Sequence, residues 1–130
     1  MSKEIVHTND APAAVGPFSQ AIKTEGFLFV SGQIPFNTQG KIVGDNTEAQ
    51  TRQVLSNLRT IIEAAGMVLS NTVKCTCFLK NMEDFAVFNA VYSEYFGSIL
   101  PARECVEVAR LPKDVLVEVS AICIVNNKGE

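Results

Sequence analysis

Histidine is almost absent from this 130-residue sequence: His7 is the only one, and four cysteines are the only other soft metal ligands. A structural zinc site takes about four such side chains. Cys75 and Cys77 can place two sulfurs on one face of a strand, but His7 lies far away in sequence. The sequence therefore predicts no metal site, and we expect reduced cysteines within the core.

Charge is also scarce. Charged residues make up 19% of the chain, and 11 Lys+Arg against 14 Asp+Glu give a formal net charge of −3. Nucleic-acid-binding proteins neutralise phosphates with clustered basic residues, and no such cluster is visible here. The composition predicts no nucleic-acid partner. Apolar residues make up 47%, which is enough for a core and argues against disorder.

Long apolar runs are missing as well. No stretch reaches the roughly 20 residues that a membrane-spanning helix requires. The first residues, "MSKEIVHTNDAP", contain no apolar signal-peptide segment. We therefore expect a cytoplasmic protein without a membrane partner. No repeat or linker interrupts the chain, so residues 1–130 are predicted to form a single domain.

The hydrophobic periodicity predicts an α+β domain with the order β-β-β-α-β-α-β-β. A tight turn at Glu25–Gly26 joins the second and third strands. The predicted strands are 3–8, 18–24, 27–32, 71–80, 102–109 and 115–125, with a possible short strand at 41–43. One helix covers 47–65, and a second lies between Asn81 and Gly97.

Polar residues mark the expected helix ends. Asn46 or Thr47 can cap the first helix, and Gly66 can supply the left-handed residue that ends it. Asn81 can cap the second helix, and Asp84, three residues later, suggests a capping box. These signals define both helices independently of their apolar faces.

Several strands are apolar on both faces, notably "FLFV", "VLVEV" and "AICIV". Two helices can cover only one face of the predicted sheet. A second copy of the chain is the simplest cover for the other face. We therefore predict a homo-oligomer.

Two charged residues, Arg103 and Glu118, interrupt the apolar strands near the end of the chain. They can form an ion pair between neighbouring strands or reach solvent at the sheet edge. Alternatively, the Arg103 fork can bind a small carboxylate in a cleft between copies, leaving Glu118 to handle a proton or a water molecule. The pattern alone leaves both interpretations open.

Four segments resemble the RidA/YjgF family, in order and at family spacing. They are "APAAVGPFSQA" (11–21), "SGQIP" (31–35), "PARECVEVARLPKD" (101–114) and "VEVSAI" (117–122). The resemblance implies a chorismate-mutase-like, RidA-like fold with one mixed β-sheet and two helices on one face. It also implies a homotrimer with active sites in the clefts between subunits.

The resemblance further implies an activity, that of a metal-independent 2-iminobutanoate/2-iminopropanoate deaminase. Such a hydrolase converts reactive 2-imino acids, including the tautomer of 2-aminoacrylate, into 2-oxo acids and ammonia. PLP-dependent dehydratases acting on serine and threonine supply the imines. No cofactor is implied for the deaminase itself.

Residue by residue, Arg103 matches the family's carboxylate-binding arginine, and Glu118 matches the acid that orients or activates water. Cys105 matches a cysteine that lines the site. Its alternative role is that of a small apolar wall residue rather than a nucleophile. Ser31 and Gly32 fall in the "SGQ" segment that borders the pocket.

Three further positions are implied at the site. Asn89 and Tyr92 match helix positions that reach the cleft. Phe18 stands where the family often has tyrosine in "GPYSQ", so one hydroxyl is missing, although the ring can still exclude water.

Other functions remain compatible with the sequence. The chain can be a binding module that senses small carboxylates or engages a protein partner. Nuclease activity is disfavoured by the net charge of −3 and by the lack of a His/Lys catalytic cluster. Chorismate mutase chemistry rests on fold analogy alone.

Overall fold

Six strands and two helices follow one another in the predicted order in the computed structural model, which describes residues 2–125. The remaining residues of the predicted single domain, Met1 and 126–130, lie outside the described part. The elements are β1 (Glu4–Val6), β2 (Ala21–Thr24), β3 (Phe27–Gln33), α1 (Thr47–Ala64), β4 (Thr72–Leu79), α2 (Phe85–Phe96), β5 (Ala102–Glu107) and β6 (Val117–Ile124). The possible strand at 41–43 is only an isolated bridge between Phe36 and Ile42.

The strands form one mixed sheet in the order β1-β2-β3-β6-β4-β5, in which only β4 and β5 run parallel. A parallel pair needs a long crossover, which α2 provides. The predicted Glu25–Gly26 turn is confirmed, since φ of 52° and 84° suits a tight hairpin.

The ion-pair interpretation required the strands of Arg103 and Glu118 to be neighbours, but β4 lies between β5 and β6. β6 is mostly apolar and its alternate residues are buried, so it takes the centre of the sheet. β5 carries Arg103, Glu104 and Glu107, and charged strands suit a sheet edge. The ion pair between neighbouring strands is therefore excluded within one protomer.

Both helices lie on one face of the sheet. α1 packs on β3 and β6, and α2 packs beside α1. The side chains that point toward the helices form the core, with Leu28 and Val30 from β3, Val117, Val119, Ala121 and Cys123 from β6, and Leu55, Leu58 and Ile62 from α1. None of the helices in residues 2–125 is long and apolar enough to cross a membrane.

The opposite face, here called the open face, carries no helix. Phe27, Phe29, Val106 and Ile124 are exposed on it, and the rings of Phe27 and Phe29 stack at 5.9 Å. An apolar strip of this kind is typical of surfaces that take part in protein interactions.

The start of α1 is capped as expected, because the Asn46 Oδ1 atom accepts a 2.8 Å hydrogen bond from the Ala49 N–H. Gly66 follows the helix with φ of 84°, in the left-handed region predicted for it. The sequence signals therefore located both ends of α1.

The start of α2 differs from the prediction. Asn81 caps a single 3-10 turn over Met82–Asp84, and α2 itself begins at Phe85. The Asp84 carboxylate accepts a 2.7 Å hydrogen bond from the Thr47 hydroxyl, so it ties the two helix starts together. The proposed capping box is therefore wrong, because the carboxylate has a tertiary partner.

The second strand begins at Ala21 rather than at residue 18, because Gln20 serves another purpose. Its buried side-chain amide accepts from the Thr8 N–H at 2.7 Å and donates to the Pro12 carbonyl at 2.8 Å. These bonds hold the 8–12 loop against the start of β2. The loop in turn forms one wall of the site described below.

Candidate functional site

Arg103 lies on the helix side of β5, beneath α2. One guanidinium nitrogen donates a 2.8 Å hydrogen bond to the Asn89 Oδ1 atom. The guanidinium carbon lies 4.8 Å from the ring centroid of Tyr92, 5.6 Å from that of Phe85 and 5.9 Å from that of Phe88. These three rings form an aromatic cradle that holds the cation in a fixed direction.

The charge of Arg103 is not neutralised within the described residues, since no carboxylate lies within 4.0 Å of it. Arginine has five N–H donors, and Asn89 engages only one nitrogen. Arg103 also lines a groove of about 390 Å³ between α2 and β5. The geometry leaves the guanidinium fork available to an incoming anion.

Tyr92 contributes its ring rather than its hydroxyl. The hydroxyl oxygen is buried and has no well-formed hydrogen-bond partner among residues 2–125. Burial raises the pKa of Tyr92, and the neighbouring Cys75 thiol raises it further. The phenol therefore stays neutral at physiological pH.

The cysteines near Arg103 are protonated at neutral pH. Burial raises the pKa of Cys105, although the charge of Arg103 opposes the shift. Burial raises the pKa of Cys75 to about 11 and that of Cys77 still more. Since only a thiolate is a strong nucleophile, these shifts favour the wall role for Cys105. No three His, Cys, Asp or Glu side chains within residues 2–125 converge to hold a metal ion.

Glu118 points toward the open face, opposite to the buried Val117 and Val119. Its carboxylate lies against Gly32, and a β-carbon at that position would overlap it. Glu118, Ser31, Gly32 and Phe18 line a pocket of about 950 Å³. A side chain at position 32 would therefore displace the Glu118 carboxylate from this place.

The carboxylate of Glu118 has no cationic partner among the described residues, and burial raises its pKa. Desolvation disfavours the charged form, so the group binds a proton more readily than an exposed glutamate. A carboxylate of this kind is suited to proton transfer.

Ser31 holds the loop that carries Phe18. Its hydroxyl donates a 2.6 Å hydrogen bond to the Ser19 carbonyl, and its N–H donates to the Gln20 carbonyl at 3.0 Å. The Phe18 side chain is 53% exposed at the pocket rim. Ser31 therefore shapes the pocket through its hydroxyl.

The structure divides the eight predicted site residues into two groups on opposite faces of the sheet. The Arg103 half-site comprises Arg103, Cys105, Asn89 and Tyr92, and the Glu118 half-site comprises Glu118, Ser31, Gly32 and Phe18. The two strands that carry Arg103 and Glu118 are separated by β4. One protomer therefore cannot bring both charges to a single ligand.

The sequence analysis did not assign a site role to several residues that the structure places there. Phe85 and Phe88 complete the aromatic cradle, and Ile34, Phe36 and Lys113 line the Glu118 half-site. The spacing of Phe85, Phe88 and Tyr92 was visible as one helix face. That pattern indicates burial, but it does not show that a cation lies beneath the rings.

Comparison with known proteins places the chain among relatives of its own length. A sequence model of the endoribonuclease L-PSP family matches residues 8–125. A RutC family protein of Pyrococcus horikoshii is 54% identical over 121 residues, which cover 92% of this chain and 96% of the relative. The 2-iminobutanoate/2-iminopropanoate deaminase of Salmonella typhimurium is 46% identical over 127 residues, with coverage of 95% and 98%.

The fold is shared with a solved structure. The crystal structure of E. coli TdcF with bound serine matches with a TM-score of 0.90 at 39% sequence identity, covering 95% of this chain and 99% of that chain. Sequence and structure agree over almost the full length. The chain belongs to the RidA/YjgF family, which the family model describes as endoribonuclease L-PSP.

Proposed function

We propose that this protein hydrolyses 2-imino acids to 2-oxo acids and ammonia, in a site that two copies of the chain form together. The observation that carries the proposal is the unneutralised Arg103 guanidinium, held by Asn89 and the aromatic cradle with its fork free. The Salmonella relative that bears the name of this activity supports it.

The proposed assembly explains how the two half-sites meet. Arg103 of one copy faces Glu118 of the next, so each contact joins two different surfaces. Contacts of this kind close into a ring, and we propose a ring of three. The exposed Phe27, Phe29 and Ile124 on the open face would be covered by this packing.

The proposed reaction needs few groups. Arg103 holds the substrate carboxylate, which fixes the C=N carbon beside Glu118. Glu118 removes a proton from water as the oxygen attacks this electrophilic carbon, and a carbinolamine forms. Glu118 then returns this proton to the nitrogen and accepts the proton of the carbinolamine hydroxyl, so that the C–N bond breaks, ammonia leaves and a C=O bond remains. No covalent nucleophile is required, in keeping with a protonated Cys105.

A coupled assay tests the proposal. Threonine dehydratase generates 2-iminobutanoate from threonine, and we expect the purified protein to speed the release of ammonia and 2-oxobutanoate beyond the spontaneous rate. Heat-denatured protein serves as the control. An unchanged rate over a wide range of protein concentrations would refute the deaminase.

A second candidate function is carboxylate binding without catalysis, because the Arg103 half-site alone offers a fork for an anion. Calorimetry separates the two candidates. Binding of 2-oxobutanoate together with an unaccelerated assay would favour the binding module.

Substituting Gly32 by alanine is expected to lower the deaminase rate by at least about tenfold, since a misplaced catalytic group costs roughly that or more. The added β-carbon overlaps the Glu118 carboxylate, which must rotate away. Steady-state rates measure the loss of activity, and a thermal unfolding scan measures any loss of stability.

Gly66→Ala is the matched control for this prediction. Gly66 has φ of 84° and lies at the end of α1, away from both half-sites. Alanine there strains the backbone and costs about 1 kcal/mol of stability, yet it should leave turnover per folded protein unchanged. Full turnover in Gly32→Ala would show that the position of Glu118 does not matter.

A further inference from the structure

Leu100 occupies a backbone position that normally belongs to glycine. It follows α2, its φ is 55°, and its N–H donates a 2.9 Å hydrogen bond to the Phe96 carbonyl. A left-handed residue of this kind ends many helices, and glycine adopts it without steric cost. Leucine at this position strains the chain.

Burial of the side chain does not compensate for this strain. The Leu100 side chain is 78% exposed, so it contributes almost nothing to the core. It lies at the rim of the groove that also contains Arg103, with Pro101 and Ala102 between them in sequence. A strained residue beside a functional group indicates a role that burial in the protomer does not explain.

The Glu118 half-site has an unfilled apolar side. Val15 is 80% exposed and Phe18 is 53% exposed at its rim, and Ile34 and Phe36 line its interior. The pocket volume of about 950 Å³ is that of a site for a drug-sized molecule, far larger than a four-carbon imine needs. The pocket therefore has room for a further group beside a four-carbon imine.

We propose that Leu100 of one copy enters the Glu118 half-site of the next and forms the wall that contacts the substrate side chain. This inference rests on the proposed function. Because Leu100 and Arg103 line one groove, seating Arg103 opposite Glu118 carries Leu100 into the same cleft. Leu100, Val15 and Phe18 then enclose an apolar chain, so Leu100 determines specificity for imino acids with longer alkyl side chains.

The test compares two imines in the variant Leu100→Gly. An amino-acid oxidase generates the imines of leucine and of alanine, and kcat/KM is measured for each. We expect a loss of about tenfold or more for the leucine-derived imine, since a buried methylene or two carries this discrimination. The alanine-derived imine should lose less than about threefold, because its methyl group is too short to reach the wall.

Stability provides an independent readout. Glycine relieves the left-handed strain, so the thermal midpoint of Leu100→Gly should not fall below that of the wild type. Leu100→Ala shortens the side chain without adding the backbone freedom of glycine. It should also lose much more activity toward the leucine-derived imine than toward the alanine-derived imine. Val68→Ala is the matched control, because Val68 is also an exposed apolar residue but lies on the turn after α1.

Equal losses for both imines, or no loss for either, would overturn the role of Leu100. Calorimetry separates this failure from failure of the proposed function. If the wild type accelerates neither hydrolysis, the deaminase proposal fails. Weaker binding of 4-methyl-2-oxopentanoate, but not of pyruvate, by Leu100→Gly would still support the proposal that Leu100 contacts the ligand side chain. Unchanged binding of both 2-oxo acids would refute the role of Leu100, even if the wild type is an active deaminase.

Discussion

Replacing Arg103 by alanine is expected to lower kcat/KM for 2-iminobutanoate by about a thousandfold. Two charge-assisted hydrogen bonds to a carboxylate contribute about 1.5–3 kcal/mol each, and roughly 1.4 kcal/mol corresponds to a factor of ten. Among residues 2–125, Arg103 has no carboxylate partner within 4.0 Å, so its replacement leaves no buried carboxylate without a partner. Size-exclusion chromatography should therefore show an unchanged oligomer.

Lysine at the same position separates charge from shape. Arg103→Lys keeps a cation above the aromatic cradle but loses the planar fork, so we expect an intermediate loss of about ten- to a hundredfold. A rate equal to that of Arg103→Ala would show that the planar fork is essential and that a positive charge alone does not support the reaction.

Arg59→Ala is the matched control for the Arg103 variants. Arg59 also packs over an aromatic ring, with its guanidinium carbon 5.1 Å from the Tyr95 centroid, but it contacts neither half-site. Its removal should leave the deaminase rate within about twofold of the wild type, as is usual for isolated surface substitutions. Wild-type activity in Arg103→Ala would remove this residue from the mechanism.

Mixing two inactive variants is expected to restore activity. Arg103→Ala lacks the carboxylate-binding group, and Glu118→Gln lacks the group that handles the proton. In a ring where each site takes Arg103 from one copy and Glu118 from the next, equal random mixing rebuilds about a quarter of the sites, one half times one half. Activity should therefore rise from near zero to about a quarter of the wild-type value.

The experiment requires joint unfolding and refolding of the two variants, with each variant refolded alone as the control. The recovered fraction should follow the product of the two mole fractions and peak at an equal mixture. A site contained within one protomer would recover nothing at any ratio, because every protomer carries one defect. This outcome would refute the proposal that two copies form each site, but it would leave the deaminase proposal intact.

Local signals in the sequence were sufficient for most of the fold. The apolar stripe and the polar cap at Asn46 defined α1 to within one residue at its end, and the Glu25–Gly26 turn fixed the first hairpin. Such features depend on residues a few positions apart. The start of α2 was misplaced because Asp84 bonds to Thr47, a partner 37 residues away.

The arrangement of the candidate site depended on longer-range pairing. Alternation correctly divided the residues of each strand between two faces, but it did not relate the faces of β5 to those of β6. That relation depends on β4, which separates them. The family resemblance predicted that Arg103 and Glu118 belong to one site, and only the structure shows that they lie on opposite faces of a protomer.

The position of β6 has a consequence for biosynthesis. The last strand of the described chain lies at the centre of the sheet and bridges β3 and β4, so neither half of the molecule has a complete interior before residues 117–124 exist. Because pairing of such distant segments comes late in folding, the chain cannot adopt its native shape until residues 117–124 have been synthesised and have left the ribosome. Until then the apolar faces of β3 and β4 stay exposed, so each newly synthesised copy depends on rapid pairing of β6 with both strands.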